Sequence, residues 1–162
     1  AQAFEVRSGA MQIHAYDAPA TLAGQGPMMR EWESQFLRSN DILIAVGGGG
    51  LIGGALAWLE GRCNVIAVEP ERAPTLHTAL KAGIGQMCFD LATKNDIESI
   101  LVSDDDIAAA QKLLWETCRQ WVEPAGATAL AAVMSGAYGR LLSKDSVAVL
   151  VCGANPAPGP FD

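Results

Sequence analysis

The residues best suited to chemistry form one run, Val46-Gly47-Gly48-Gly49-Gly50-Leu51-Ile52-Gly53-Gly54. Successive glycines carry no Cβ, so several backbone N–H groups can converge on one point without side-chain obstruction. The run stands between a buried apolar segment and a helical one. Its N–H groups therefore meet the partial positive charge of a helix N-terminus, which favours an anion, and phosphate is the natural guest. Two other readings of the same residues stay open beside this one. The first is a tight strand-to-helix turn with no ligand, although a turn needs one or two glycines and four in a row weaken it. In the second, Gly48-x-Gly50-x-x-Gly53 matches the dinucleotide fingerprint literally, and Glu69 ends the next strand, where a ribose-binding acid would stand roughly 20 residues downstream.

The elements that position this loop alternate between apolar strands and amphipathic helices, the pattern of a parallel α/β sheet. Strands are expected at Ile13–Tyr16, Asp41–Val46, Asn64–Val68, Ser99–Val102 and Ser146–Val151. A helix from about Ala20 to Leu37 places Met29, Trp32 and Phe36 on one face. Gly24 and Gly26 weaken its first turn, so a close backbone approach is expected there. Leu51 to Glu60 reads as a helix ended by Gly61, and Thr75–Ala82 as a short one stopped by Gly83. Ser103 begins a capping box with Asp106, and Ile107, Ala110, Leu114 and Cys118 form the apolar stripe of the helix that follows. Pro124 suits the first position of an Ala-rich helix that stops at Gly136. The stretch from Ile84 to Asn95 shows no clear period. The fold class is α/β, a three-layer parallel sheet with flanking helices. One domain is expected over residues 1–155, with 156–162 as an extended Pro-rich tail.

Composition narrows the function. Half of the 162 residues are hydrophobic, and the formal net charge is −7. Seven Arg and four Lys are scattered along the chain, so neither nucleic acid nor an anionic membrane surface is an expected partner. Gly, Glu or Arg interrupts every apolar run before it could span a bilayer. Cys63, Cys88, Cys118 and Cys152 show no zinc spacing and read as reduced thiols of a cytoplasmic protein. The chain begins at Ala1 rather than Met, inside what reads as helix, as expected of a fragment or a processed product.

Seven segments in this order resemble the pyridoxal-phosphate (PLP) dependent threonine/serine dehydratase and serine racemase family of fold type II, the tryptophan synthase β-like enzymes. They are His14-Ala15-Tyr16-Asp17, Ala23-Gly24-Gln25-Gly26, Gly47–Leu51, Val68-Glu69-Pro70-Glu71, Val102-Ser103-Asp104, Val122–Ala127 and Cys152-Gly153-Ala154-Asn155. They cover nearly the whole chain and match the C-terminal half of such an enzyme, which supplies most of its large domain. The resemblance implies that Gly47, Gly48, Gly49 and Gly50, with the N–H of Leu51, hold the PLP phosphate. It places Cys152 where a Ser or Cys hydrogen-bonds the pyridine nitrogen; a neutral partner leaves that nitrogen unprotonated, which suits β-elimination. Asn155 follows in a pattern usually written with two glycines, the second being Ala154 here. Glu123 falls in a Glu-Pro segment near the ring, and it reads equally as a helix N-terminal carboxylate stabilised by the dipole. Glu69 and the carbonyl of Ala73 fall where some members bind a divalent cation. The third ligand position is Thr75, and one carboxylate with one carbonyl makes a poor cage, so no metal is expected.

Two departures qualify the resemblance. The Schiff-base lysine of the family lies in its N-terminal half, in a Ser-x-Lys-x-Arg-Gly-Ala type segment. Lys81, Lys94, Lys112 and Lys144 have no such setting, so no residue of this chain is assigned a catalytic role. The stretch from Gly85 to Asp96 is short for the family and implies an altered pocket. The expectation is the phosphate-binding part of a dehydratase of a hydroxy-amino acid such as threonine or serine, inactive alone. Self-association, or association with a missing N-terminal half, is expected with it. The alternatives are a non-catalytic PLP- or phosphate-binding remnant and a nicotinamide-dinucleotide-binding domain.

Overall fold

A computed structural model describes residues 2–11, 13–35, 39–77, 84–139 and 146–154. Four parallel strands form one sheet in the order β3-β2-β1-β4. These are β1 (Asp41–Ala45), β2 (Asn64–Pro70), β3 (Ser99–Val102) and β4 (Val147–Val149). Asp41 pairs with Asn64 on one side and Val147 on the other, and Ala67 pairs with Ser99. The central strands lack polar alternation because helices cover both faces. Ile42, Ile44, Val65 and Ala67 face one core, and Leu43, Ile66 and Val68 face the other. The first is closed by α2 (Pro19–Gln35), α3 (Gly50–Leu59) and α4 (Gln86–Lys94); the second by α5 (Asp104–Leu113) and α6 (Pro124–Met134). Helix α1 (Gln2–Ser8) precedes them. The three-layer α/β architecture is as the sequence implies.

Local chemistry explains the boundaries. Ser103 accepts from the Asp106 N–H while Asp106 accepts from the Ser103 N–H, so α5 starts on a complete capping box. Pro124 opens α6, where its missing N–H has no helical partner to lose. Glu60 and Gly61 both adopt left-handed conformations after α3 and stop it. The close approach expected at Gly24 and Gly26 falls elsewhere: a Cβ on Gly26 would make only ordinary contact, 3.9 Å from the Trp58 Cβ, and one on Gly24 would meet nothing within 4 Å, whereas one on Gly54 of α3 would come 2.8 Å from the Leu22 carbonyl oxygen of α2.

The structure departs from the sequence reading in three further places. The stretch from Ile13 to Tyr16 is not a strand. His14 Nδ1 accepts the Tyr16 and Asp17 N–H groups at 3.3 and 2.8 Å, so donors a sheet would need are taken by a local turn. Cys118 leaves the apolar stripe, because Leu114–Cys118 winds as a π-turn and carries its side chain into solvent. Glu69 accepts the N–H groups of Thr75, Leu76 and His77, and the rest of the helix expected over Thr75–Ala82 lies outside the described residues. The unclear stretch contains α4, which runs from Gln86 to Lys94. Phe36 and the tail from Asn155 onward also lie outside the described residues. Among those residues, no helix is long and apolar enough to cross a membrane.

Candidate functional site

In an open parallel sheet, ligands settle outside the carboxyl ends of the strands. A cavity of about 620 Å³ lies there, bordered by Gly47–Gly50 after β1, Pro70 at the end of β2, and Cys152 after β4. Leu51, Ala73, Thr75, Tyr16, Gln25 and Thr128 complete the walls that matter here. The site is therefore assembled from segments far apart in the chain.

The glycine loop explains its own composition. Gly49 is the N-cap of α3 with φ 93°, a conformation open to glycine and strained for other residues. A Cβ on Gly49 would lie 2.7 Å from the Cys88 sulfur, and one on Gly48 would overlap the Tyr16 ring. A Cβ on Gly50 would come 3.0 Å from the Tyr16 Cβ. The backbone is thus packed on by side chains and exposed to the cavity at once. Gly53 N–H donates to the Gly49 carbonyl at 2.8 Å, the first closed turn of α3. The N–H groups of Gly50, Leu51 and Ile52 precede it and have no carbonyl of the helix to reach. These donors and the positive end of the helix fit a phosphate.

Cys152 borders the same cavity after β4, the neighbour of β1 in the sheet. Burial pushes its thiol above the usual range, and the neighbouring Glu123 carboxylate pushes it further in the same direction. The side chain is therefore a neutral thiol at physiological pH. The backbone around it is held closely. Glu123 N–H donates to the Gly153 carbonyl at 2.8 Å, and Gly126 packs directly against the Cys152 carbonyl, with no room for a Cβ. Glu123 is the N-cap of α6, but its side chain makes no cap hydrogen bond and lies against Gly153 instead. It stands behind Cys152 rather than on the cavity wall. Asn155 lies outside the described residues.

Glu69 does not face the cavity. It is fully buried and accepts from the N–H groups of Thr75 (2.6 Å), Leu76 (2.8 Å) and His77 (2.7 Å). The Thr75 and Ser99 hydroxyls approach it at 2.8 and 2.9 Å. Burial acts to raise its pKa, but the Leu76, Thr75 and His77 donors outweigh that and hold it below the usual carboxylate range. A carboxylate so occupied is not placed to bind a ribose, and the dinucleotide match fails at its acid. Ala73 borders the cavity, and among the described residues no cluster of three or more His, Cys, Asp or Glu could hold a metal ion.

The structure thus brings Gly47, Gly48, Gly49, Gly50, Leu51 and Cys152 to one cavity. Sequence reasoning does not mark Tyr16, Thr75 or Thr128 as walls of it. Tyr16 belongs to the His14–Asp17 segment and carries a signal only through that motif; Thr75 and Thr128 are isolated polar residues that only the tertiary fold brings to the cavity. Neither Lys94, at the end of α4, nor Lys112, exposed beside Glu116, borders the cavity. Lys81 and Lys144 lie outside the described residues.

Comparison with known proteins agrees with this geometry. A family model described as pyridoxal-phosphate dependent enzyme matches residues 1–153. The chain is 31% identical to phenylserine dehydratase of Ralstonia pickettii over 97% of its own length and 55% of the relative's. The crystal structure of serine racemase from Dictyostelium discoideum superposes with a TM-score of 0.86 at 27% identity, covering 95% of this chain and 56% of that one. The crystal structure of a T.th. threonine deaminase gives 0.87 at 29% identity, covering 98% and 66%. The chain spans about half the length of the curated relatives it matches.

Proposed function

The chain belongs to the family of pyridoxal-phosphate dependent enzymes, and from that premise we propose that it forms the phosphate-binding part of the cofactor site of a hydroxy-amino-acid dehydratase. One observation carries the reading: a glycine loop at a helix N-terminus and a neutral thiol face one cavity at the carboxyl end of a parallel sheet. The N–H groups of Gly47–Gly50 and Leu51 hold the phosphate. Cys152 meets the pyridine nitrogen as a neutral partner, and Asn155 continues that segment. Glu123 keeps the Cys152–Gly153 backbone in place. When bound, PLP supplies an electron-withdrawing ring that stabilises negative charge at the α-carbon of an amino acid. With the ring nitrogen left unprotonated beside a thiol, loss of a β-hydroxyl as water is favoured over transamination.

Proton transfer at the α-carbon needs a lysine beside the cofactor, and neither described lysine borders the cavity. In the family that the sequence resembles this lysine stands in a Ser-x-Lys-x-Arg-Gly-Ala type segment, a setting that none of the four lysines has. We therefore infer that an associating segment supplies it and that residues 1–162 alone do not dehydrate serine or threonine. Association accompanies this. Val6, Met11 and Ile13 are 87, 84 and 81% exposed, an apolar surface that a partner segment or a second copy would cover.

Titration with PLP, followed by absorbance and fluorescence, tests the cradle. Gly47→Val, whose Cβ meets nothing within 4 Å, should weaken binding while circular dichroism still reports the sheet. Unchanged affinity in that variant would place the phosphate elsewhere.

A further inference from the structure

Buried Glu69 has no part in the site as derived above, yet it is linked to the glycine loop through one hydroxyl. Thr75 Oγ1 lies 2.8 Å from Glu69 Oε1 and 3.1 Å from the Gly47 carbonyl oxygen. A hydroxyl carries a single proton, so it cannot fully serve both acceptors. Glu69 Oε1 already accepts the Thr75 and Leu76 N–H groups, and Oε2 accepts from His77 N–H and the Ser99 hydroxyl. The Thr75 proton is thus shared between a carboxylate that four other donors already serve and the Gly47 carbonyl. The adjacent peptide is anchored too, since Gly85 N–H donates to the Gly48 carbonyl at 3.0 Å.

These anchors bear on the donors of the loop. In a planar trans peptide the carbonyl and the next N–H point in opposite directions. Fixing the Gly47 carbonyl fixes the Gly48 N–H; fixing the Gly48 carbonyl fixes the Gly49 N–H. A run of four glycines has more conformational freedom than any other tetrapeptide, so its donors converge only if something outside the run orients them. We propose that Glu69 and Thr75 are positioning residues: the buried carboxylate holds the 75–77 turn in place, and the Thr75 hydroxyl, anchored there, aims the Gly48 N–H at a bound phosphate. The inference rests on the cradle reading for its ligand, but the orientation of the loop exists without one.

The test uses the 162-residue chain with Thr75→Val, which keeps the shape and removes the hydroxyl, and Thr75→Ser, which restores it. Thr75→Ala gives a second hydroxyl deletion should Val disturb folding. Two quantities are read: the amide shifts of Gly48 and Gly49 in ligand-free protein, and affinity for pyridoxine 5′-phosphate, which has the phosphate and ring but no aldehyde to react with lysines. Loss of the hydroxyl should move the Gly48 amide and weaken binding by roughly tenfold, the scale of one hydrogen bond; Thr75→Ser should return both towards the parent. An unmoved Gly48 amide in both deletions overturns the proposal whatever binding does. So does a shift and weakening of equal size in Thr75→Ser. If the parent binds no phosphate ester while the amide still moves and Ser still restores it, positioning stands and the cradle reading falls.

Discussion

Gly49 rests on Cys88: a Cβ at Gly49 would come 2.7 Å from the Cys88 sulfur and 2.9 Å from its Cβ. The loop is therefore seated on α4 from below, and Gly49 combines that contact with a φ of 93°. Gly49→Ala should destabilise the chain by about 1–3 kcal/mol, from a left-handed backbone and an overpacked contact. Gly47→Ala makes the control, because a Cβ there meets nothing within 4 Å. Urea melts of the two variants should separate clearly; equal midpoints would mean that Gly49 is not seated on α4.

The same contact sets thiol reactivity. Burial, with Asp17 adding in the same direction, pushes the Cys88 thiol up to about 12. The thiolate is the reacting species, so Cys88 should stay unmodified by iodoacetamide at about pH 8 in folded protein, while exposed Cys118 is labelled first. Peptide mapping over time gives the order. Early labelling of Cys88 would show α4 detached from the loop.

Much of this site is legible in the sequence, and the reasons differ by residue. Gly47–Gly50 can be read because a backbone cradle needs a residue type, not a tertiary neighbour. Ser103 and Asp106 are legible because a capping box is complete within one turn. Cys152 needs the family resemblance, since one cysteine after a strand has no local signature. In the sequence, Thr75 looks like a failed metal ligand and a helix start. Its role depends on Glu69, which reaches over the chain to take three successive N–H groups. The His14 ring likewise makes a turn of an expected strand, a competition between side chain and sheet that periodicity cannot weigh.

Tyr138 donates to Asp41 Oδ2 at 2.7 Å, and Asn64 donates to Oδ1 at 2.7 Å, at the amino end of β1 and far from the cavity. Asp41 is buried, and these bonds take up both of its carboxyl oxygens. Tyr138→Phe should cost about 1–3 kcal/mol, the range for a buried acceptor that loses its partner. Affinity for pyridoxine 5′-phosphate should not change. Chemical denaturation with a parallel binding titration separates the two effects, and a loss of affinity at unchanged stability would contradict the assignment.

Glu69 gives stability a dependence on acid. Its folded pKa lies below the ordinary carboxylate value, because the donors around it favour the charged form over the opposing effect of burial. A group depressed on folding contributes stability that is fully present above its unfolded pKa, near 4.5, and is lost as pH falls through the folded value. Stability measured from about pH 7 downward should hold to about pH 5 and then decline. In Glu69→Gln the decline should be shallower and the neutral-pH stability lower. Parallel pH profiles for parent and variant would remove Glu69 from the acid response.

Cys152 should be shielded by a ring-bearing phosphate and much less by phosphate alone. Cys152 and the glycine loop border one cavity of about 620 Å³, on walls formed after β4 and β1. Inorganic phosphate needs only the N–H groups at the start of α3. Pyridoxine 5′-phosphate extends from the same anchor by a ring, and in the proposed pose its nitrogen meets the Cys152 sulfur. Burial and Glu123 both raise the Cys152 pKa, so its alkylation is slow and must be followed at mildly alkaline pH. Three rates decide the matter: without ligand, with saturating phosphate, and with saturating pyridoxine 5′-phosphate, each normalised to exposed Cys118 in the same sample. Phosphate should change the Cys152 rate little, and pyridoxine 5′-phosphate should slow it severalfold. Because neither ligand carries an aldehyde, the result does not depend on any lysine. Equal protection by both would mean that closure of the loop, not contact with the ring, covers the thiol. No protection by either, with binding shown independently, would place the ring away from Cys152 and remove that residue from the cofactor site.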